Sequence, residues 1–287
     1  MTKEEICLFH AEDISFPAID IELKTLENDK LIFRFDEFYS LQNDRAIIER
    51  RRKGNLMAIK HMVTARKVAE LLSKFPFVKG ISVSGSLSKN FATEKTDIDF
   101  FIITAANRLW IARTCMHLYK KLTFLTGRQH WFCMNYYVDE AGLEITEKNI
   151  FTATEIVTLL PMQGKSSLYD FVVSNEWTKK YFPAQRFITG NTPEIYRGFL
   201  RRSFEKIFSG RMGDAIDKLL MNITDRRWQN KAKRKQLNGK GGSMGMAVGR
   251  HFSKPDPKNF QDKVIEQYRV KVQQVLQQHN KKLSLIQ

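Results

Sequence analysis

The clearest periodicity lies in the middle of the chain. Apolar runs at 78–84, 97–104 and 130–138 alternate with polar or amphipathic stretches, which predicts strands interleaved with helices. Ile47, Ile48, Met57, Val63, Val68, Leu71 and Leu72 recur at helical spacing and predict a helix over 43–75. Arg50-Arg51-Arg52-Lys53 interrupts that pattern, and Phe75-Pro76 ends it, because proline disfavours helix at the preceding residue. A short helix is expected at 86–92. Asn107 reads as the N-cap of a long helix over 108–125, closed by Gly127. The resulting β-α-β-α-β order indicates a compact α/β (α+β) domain built on a small mixed sheet.

The flanks read differently. Residues 30–35 and 38–41 look like two short strands around an Asp36-Glu37 turn. This hairpin fits the wing of a degenerate winged-helix unit, although the segment before it reads as short for the helices such a unit needs. Beyond 151 the pattern is mostly helical. Helices are expected at 152–160, stopped by Pro161; from Thr192-Pro193-Glu194 to Phe208; over 213–235; and over 259–280. Between Arg226 and Lys240 stand seven Lys or Arg and no acid, with Trp228 among them. Gly239, Gly241, Gly242, Gly245 and Gly249 follow and read as a flexible loop, since no predicted strand precedes them as a dinucleotide fingerprint requires. The expected organisation is therefore a hairpin segment (1–42), an α/β domain (43–150) and a helical region (151–287) with a basic, Gly-rich loop near 226–250.

Composition narrows the partners more than the fold. The 287 residues carry 47 Lys and Arg against 31 Asp and Glu, a net charge of +16. That balance favours polyanions: nucleic acid, nucleotides or an anionic membrane surface. A solvated basic surface is the plainer reading, and charge alone does not separate them. No apolar run reaches the roughly 20 residues that span a bilayer, so no membrane span is expected. The N-terminus lacks the apolar stretch of a signal peptide, and Cys7, Cys115 and Cys133 suggest free thiols in a reducing compartment, so the location is expected to be cytoplasmic. Placed on one strand, His130 and Cys133 fall on opposite faces, which argues against a shared metal.

One stretch points to chemistry. Ser84-Gly85-Ser86 follows the run at 78–83, and Thr96-Asp97-Ile98-Asp99 opens the next apolar run. Two carboxylates two apart on a strand share a face. A Gly-Ser turn on the neighbouring strand lets a phosphate approach the backbone. Two acids side by side repel unless a cation joins them, which favours a metal–nucleotide site over a polar strand entrance. The plainer reading of Gly85-Ser86 is an ordinary strand-to-helix turn capped by serine.

This spacing resembles the DNA polymerase beta-like nucleotidyltransferase superfamily over residues 60–145. Asn107-Arg108-Leu109-Trp110, Asn135-Tyr136-Tyr137 and Ala153-Thr154-Glu155 are similar to a bacterial subgroup of it whose substrates are unnamed. The resemblance implies a transferase that moves an NMP unit from an NTP, with ATP the first choice, to a hydroxyl acceptor, using Mg²⁺. It implies that Asp97 and Asp99 are catalytic and hold the metal, that Gly85 and Ser86 hold phosphates, and that Ser88 and Lys89 add donors. The superfamily places a third acid on the strand after the long helix. Here that strand is acid-free until Asp139, with Asn135 near the expected place. Glu144 is the first choice for the missing catalytic acid and Asp139 the second. The competing expectation is a binding module for nucleotide or nucleic acid without turnover. A DNA-binding regulator built on the hairpin is a weaker third.

Overall fold

The computed structural model describes residues 1–185, 189–233, 245–256 and 260–283. The chain opens with α1 (Lys3–Leu8) and α2 (Phe16–Asn28), then the hairpin β1 (Phe33–Phe35) and β2 (Phe38–Ser40). The two helices correct the expectation that this segment is too short for them. Thr2 and Glu5 form a reciprocal capping box on α1, and Pro17 stands in the first turn of α2. Cys7, Ile19, Leu23 and Ile32 make a small core of their own.

The next helix, α3 (Arg45–Ser73), is continuous, so the basic run does not interrupt it. Its arginines instead hold the N-terminal segment. Arg51 pairs with Glu5 at 2.5 Å, and Arg52 pairs with Asp36 and Glu37 of the hairpin turn. Arg50 lies over the Phe91 ring. Gly54 is buried where a side chain would collide with that same ring, so glycine permits the loop after the motif to close on α3.

The central elements follow as β3 (Val78–Val83), α4 (Gly85–Ser88), β4 (Asp99–Thr104), α5 (Leu109–Thr123) and β5 (Cys133–Asp139). The predicted β-α-β-α-β order is thus present. Asn107, however, is not the helix cap. It takes a positive φ of 59°, its N–H donates to Asp139 Oδ2 at 2.8 Å, and Arg108 occupies the cap position. The remaining elements are α6 (Ile150–Val157), β6 (Leu160–Gln163), α7 (Lys165–Ser174), α8 (Phe199–Ile207), α9 (Arg211–Lys233), β7 (Gly245–Val248), β8 (Phe252–Asp256) and α10 (Phe260–Leu283).

Three C-terminal expectations are corrected. Pro161 lies inside a strand rather than merely ending a helix, which is allowed because β6 is an edge strand. Thr192-Pro193-Glu194 does not start a helix; Glu194 caps α7 by accepting from the Ser166 N–H at 2.8 Å, and Pro193 O accepts from Gly164. Gly245 and Gly249 fall in and beside β7, not in a loop, while Gly239, Gly241 and Gly242 lie outside the described residues.

Among the described residues the main sheet runs β6-β3-β4-β5-β8-β7. Only β4 and β5 pair in parallel, with Asp99 opposite Cys133. One face carries Phe100, Ile102 and Tyr137 against α3 and α5. The other carries Phe101, Ile103 and Val138 against α7, with Ile145 and Ile156 closing it. The C-terminal helices clamp this unit through buried charge. Arg201, about 5 % exposed, donates to Glu205, Ser73 O and Val78 O, and Glu205 accepts from the Phe77 N–H. Asp217 on α9 accepts from the Ile111 N–H in the first turn of α5, satisfying a helix-end donor.

Candidate metal–nucleotide site

The motif folds at one end of the sheet, where β3 leaves and β4 and β5 begin. Ser84 N–H donates to Asp99 O at 2.9 Å, which ties the turn to the strand opposite. Gly85 adopts a φ of +67°, and a Cβ there would sit 2.3 Å from Asp99 Oδ2. Glycine is therefore required twice, for its backbone conformation and for the approach of the carboxylate.

Asp99 is the electrostatic centre. Burial pushes its carboxyl up to about 6, and the charges of Asp97 and Glu155 push the same way, against hydrogen bonds from Cys133 and Asn135. Asn135 Nδ2 donates to Asp99 Oδ1, and the Cys133 thiol donates to Asn135 Oδ1 at 3.1 Å. Burial pushes the Cys133 thiol up to about 12, so it remains a protonated donor. Asn135 reaches this place because a bulge offsets β5 between Met134 and Tyr136, keeping residues 133 and 135 beside Asp99.

Asp97 stands just before β4, with its Oδ1 2.7 Å from His130 Nδ1. His130 lies in a 3-10 turn (Gln129–Trp131) ahead of β5, which corrects its assignment to that strand. Lys89 Nζ reaches Gly85 O at 3.1 Å and Glu155 Oε1 at 2.8 Å, and Ser88 Oγ donates to Gly85 O. Both side chains therefore brace the turn in this state. Ser86 O accepts from the N–H groups of Lys89 and Phe91.

The other candidate acids lie elsewhere. Glu144 follows the far end of β5 from the Asp97–Asp99 pair and is joined instead to Lys148 at 2.6 Å. Asp139 is wholly buried at that same far end, accepting from Asn107 and Ala141 N–H groups and facing His251 Nδ1 at 3.0 Å. Sequence reasoning missed His130 as a neighbour of Asp97 and Glu155 as a neighbour of Asp99. Both contacts join segments more than thirty residues apart, and the Ala153-Thr154-Glu155 string was the one signal for either.

Among the described residues, no group of three His, Cys, Asp or Glu side chains is placed to hold a metal. Two carboxylates nevertheless suit Mg²⁺, which takes one or two protein carboxylates and completes its shell with phosphate oxygens and water. The unfavourable ionisation of Asp99 beside Asp97 and Glu155 is what a cation would relieve.

Residues 65–159 match the family model of the nucleotidyltransferase domain. The match covers about a third of the chain and is consistent with the DNA polymerase beta-like superfamily that the motif resembles. No curated protein and no solved structure matches the chain. Among the described residues, no helix is long and apolar enough to cross a membrane.

Proposed function

We propose that this protein is a Mg²⁺-dependent nucleotidyltransferase that moves an NMP unit from an NTP, with ATP the first choice, to a hydroxyl acceptor. The observation that carries this reading is the approach of Gly85 to Asp99 beside Asp97. It sets a side-chain-free turn against a carboxylate pair, within the segment that matches the family. In the transfer, the acceptor oxygen bonds to the α-phosphorus, the bond to the pyrophosphate oxygen breaks, and the hydroxyl proton is released.

Asp97 and Asp99 would hold the cation, which would neutralise charge on the phosphoryl group and the leaving pyrophosphate. Gly85 and Ser86 offer backbone and hydroxyl donors to the phosphates, and Ser88 and Lys89 can add theirs by exchanging Gly85 O for a phosphate oxygen. His130 holds Asp97 and Asn135 holds Asp99, which fixes both carboxylates before substrate arrives. Glu155, whose charge acts on Asp99, takes the place proposed for Glu144 as the third acid of the site.

Asn135 favours a second reading. It stands where a third carboxylate would accept the hydroxyl proton, and an amide cannot do so. On that reading the site binds Mg²⁺–nucleotide without turnover. The net charge of +16 supports a polyanionic acceptor or ligand such as nucleic acid in either case.

The deciding experiment is incubation with each α-labelled NTP and Mg²⁺, with cell extract as the acceptor source. Label transfer lost in Asp97→Asn and Asp99→Asn variants supports the transferase. Nucleotide binding with no transfer supports the second reading. Equal transfer by both variants and the wild type contradicts the site.

A further inference from the structure

The C-terminal half of α5 keeps Met116 and Tyr119 on the core and carries the apolar side chains of its other face into solvent. Leu118, Leu122 and Leu125 are 56 %, 62 % and 86 % exposed, and Phe124 is 60 % exposed. Residues 118, 121, 122 and 125 follow i, i+3, i+4, i+7 spacing, so the leucines and Lys121 share one face. The helix tightens to a 3-10 turn at Phe124–Thr126, and Gly127 reverses the chain in the left-handed conformation. Arg128 N–H then bonds back to Thr123 O at 3.1 Å, closing a compact tip with Leu125 at its crest.

The chain segment that forms this tip carries charge of one sign, and the acid that touches it, Asp97, does so at His130, at the end away from the crest. No Asp or Glu occurs between Asp99 and Asp139. Lys120, Lys121 and Arg128 flank the apolar crest, and the Arg128 guanidinium lies 5.1 Å over the half-exposed Trp131 ring. Leucine side chains at this exposure give a nucleic acid nothing to stack on. An apolar crest ringed by Lys and Arg, with a Trp at the level of the charges, matches the layering of an anionic bilayer interface: acyl chains below, headgroups above.

We propose that the tip formed by Leu118–Trp131 docks on an anionic lipid surface, with Phe124 and Leu125 inserted and Lys120, Lys121 and Arg128 on the headgroups. His130, in the same turn as Trp131, touches Asp97, so docking brings the metal–nucleotide site to the membrane surface. The surface stands apart from the nucleotide reading and is tested without it.

The test is co-sedimentation of the full chain with vesicles of phosphatidylcholine alone and of phosphatidylcholine with phosphatidylglycerol, without nucleotide. Binding is expected only to the anionic vesicles, weakened by salt. Leu125→Asp is expected to lower the partition coefficient at least about tenfold, the loss that follows from withholding one leucine from the acyl region. Arg128→Glu, on the other flank of the tip, is expected to weaken it too. Unchanged circular dichroism melts establish that both variants fold, which the exposure of both side chains favours. Failure of the wild type to bind anionic vesicles overturns the proposal, as does unchanged binding by both variants. So does concentration-dependent self-association that Leu125→Asp abolishes while vesicles stay unbound, since a second copy then covers the tip.

Discussion

Asn135 Nδ2 lies 2.5 Å from Asp99 Oδ1, so an amide on β5 faces the buried carboxylate at the start of β4. The amide donates where an acid would repel. This lets two carboxylates and the neighbouring Glu155 coexist before a cation arrives.

Asn135→Asp removes the donor and sets a like charge against Asp99. The variant is expected to lose about 1–3 kcal/mol of stability in chelator. Mg²⁺ is expected to restore more of its melting temperature than it adds to the wild type, because three acids bind the cation more tightly than two. Melting curves with and without Mg²⁺ check this, and an equal metal response in both proteins would show that residue 135 does not face the metal.

Asp99 makes stability depend on pH with a defined sign. Its folded pKa, about 6, lies above the ordinary carboxylate value, so the folded state holds the proton more tightly than the unfolded chain. Stability from this group is present at low pH and is lost as pH rises through about 4 to 6. Asp99→Asn is therefore expected to be more stable than wild type by on the order of 1–2 kcal/mol near pH 8, with the difference closing near pH 4. Urea unfolding of both proteins at the two pH values, without metal, reads this directly.

These two relationships mark how far the sequence was legible. The strands of the site were visible because 78–83 and 99–104 are mostly apolar and buried on both faces, whereas the strand expected from residue 97 begins only at Asp99 and leaves Asp97 in the segment before it. Strand β6 was hidden by its length and by Pro161, and β7 by the glycines around it. The capping signal read at Thr192-Pro193-Glu194 starts no helix; the Glu194 carboxylate serves instead a helix that begins at Lys165, a contact no local window contains. His130 and Glu155 were missed for the same reason: each reaches the site from an element distant in sequence, His130 from the turn before β5 and Glu155 from α6.

Gly85→Ala tests the close approach. The added methyl would meet Asp99 Oδ2, and the positive φ disfavours any side chain. A loss of about 1–3 kcal/mol is expected, together with loss of nucleotide-dependent thermal stabilisation. Full nucleotide response in a folded variant would remove the turn from the phosphate site.

Glu205→Ala tests the clamp behind the site. It strands the Arg201 guanidinium in the interior and leaves the Phe77 N–H without its acceptor. A cost of about 3–5 kcal/mol is expected from an uncompensated buried charge. Chemical denaturation measures it, and a cost below about 1 kcal/mol would mean that solvent reaches Arg201.

The central claim is that Asp97, Asp99 and the Gly85-Ser86 turn form one site for a divalent cation and a nucleotide. Calorimetric titration of a non-hydrolysable ATP analogue into wild type and Asp99→Asn, in Mg²⁺ and in chelator, addresses it most directly. The account predicts binding to the wild type that requires Mg²⁺ and disappears in Asp99→Asn. Equal affinity in chelator, or in the variant, would contradict it.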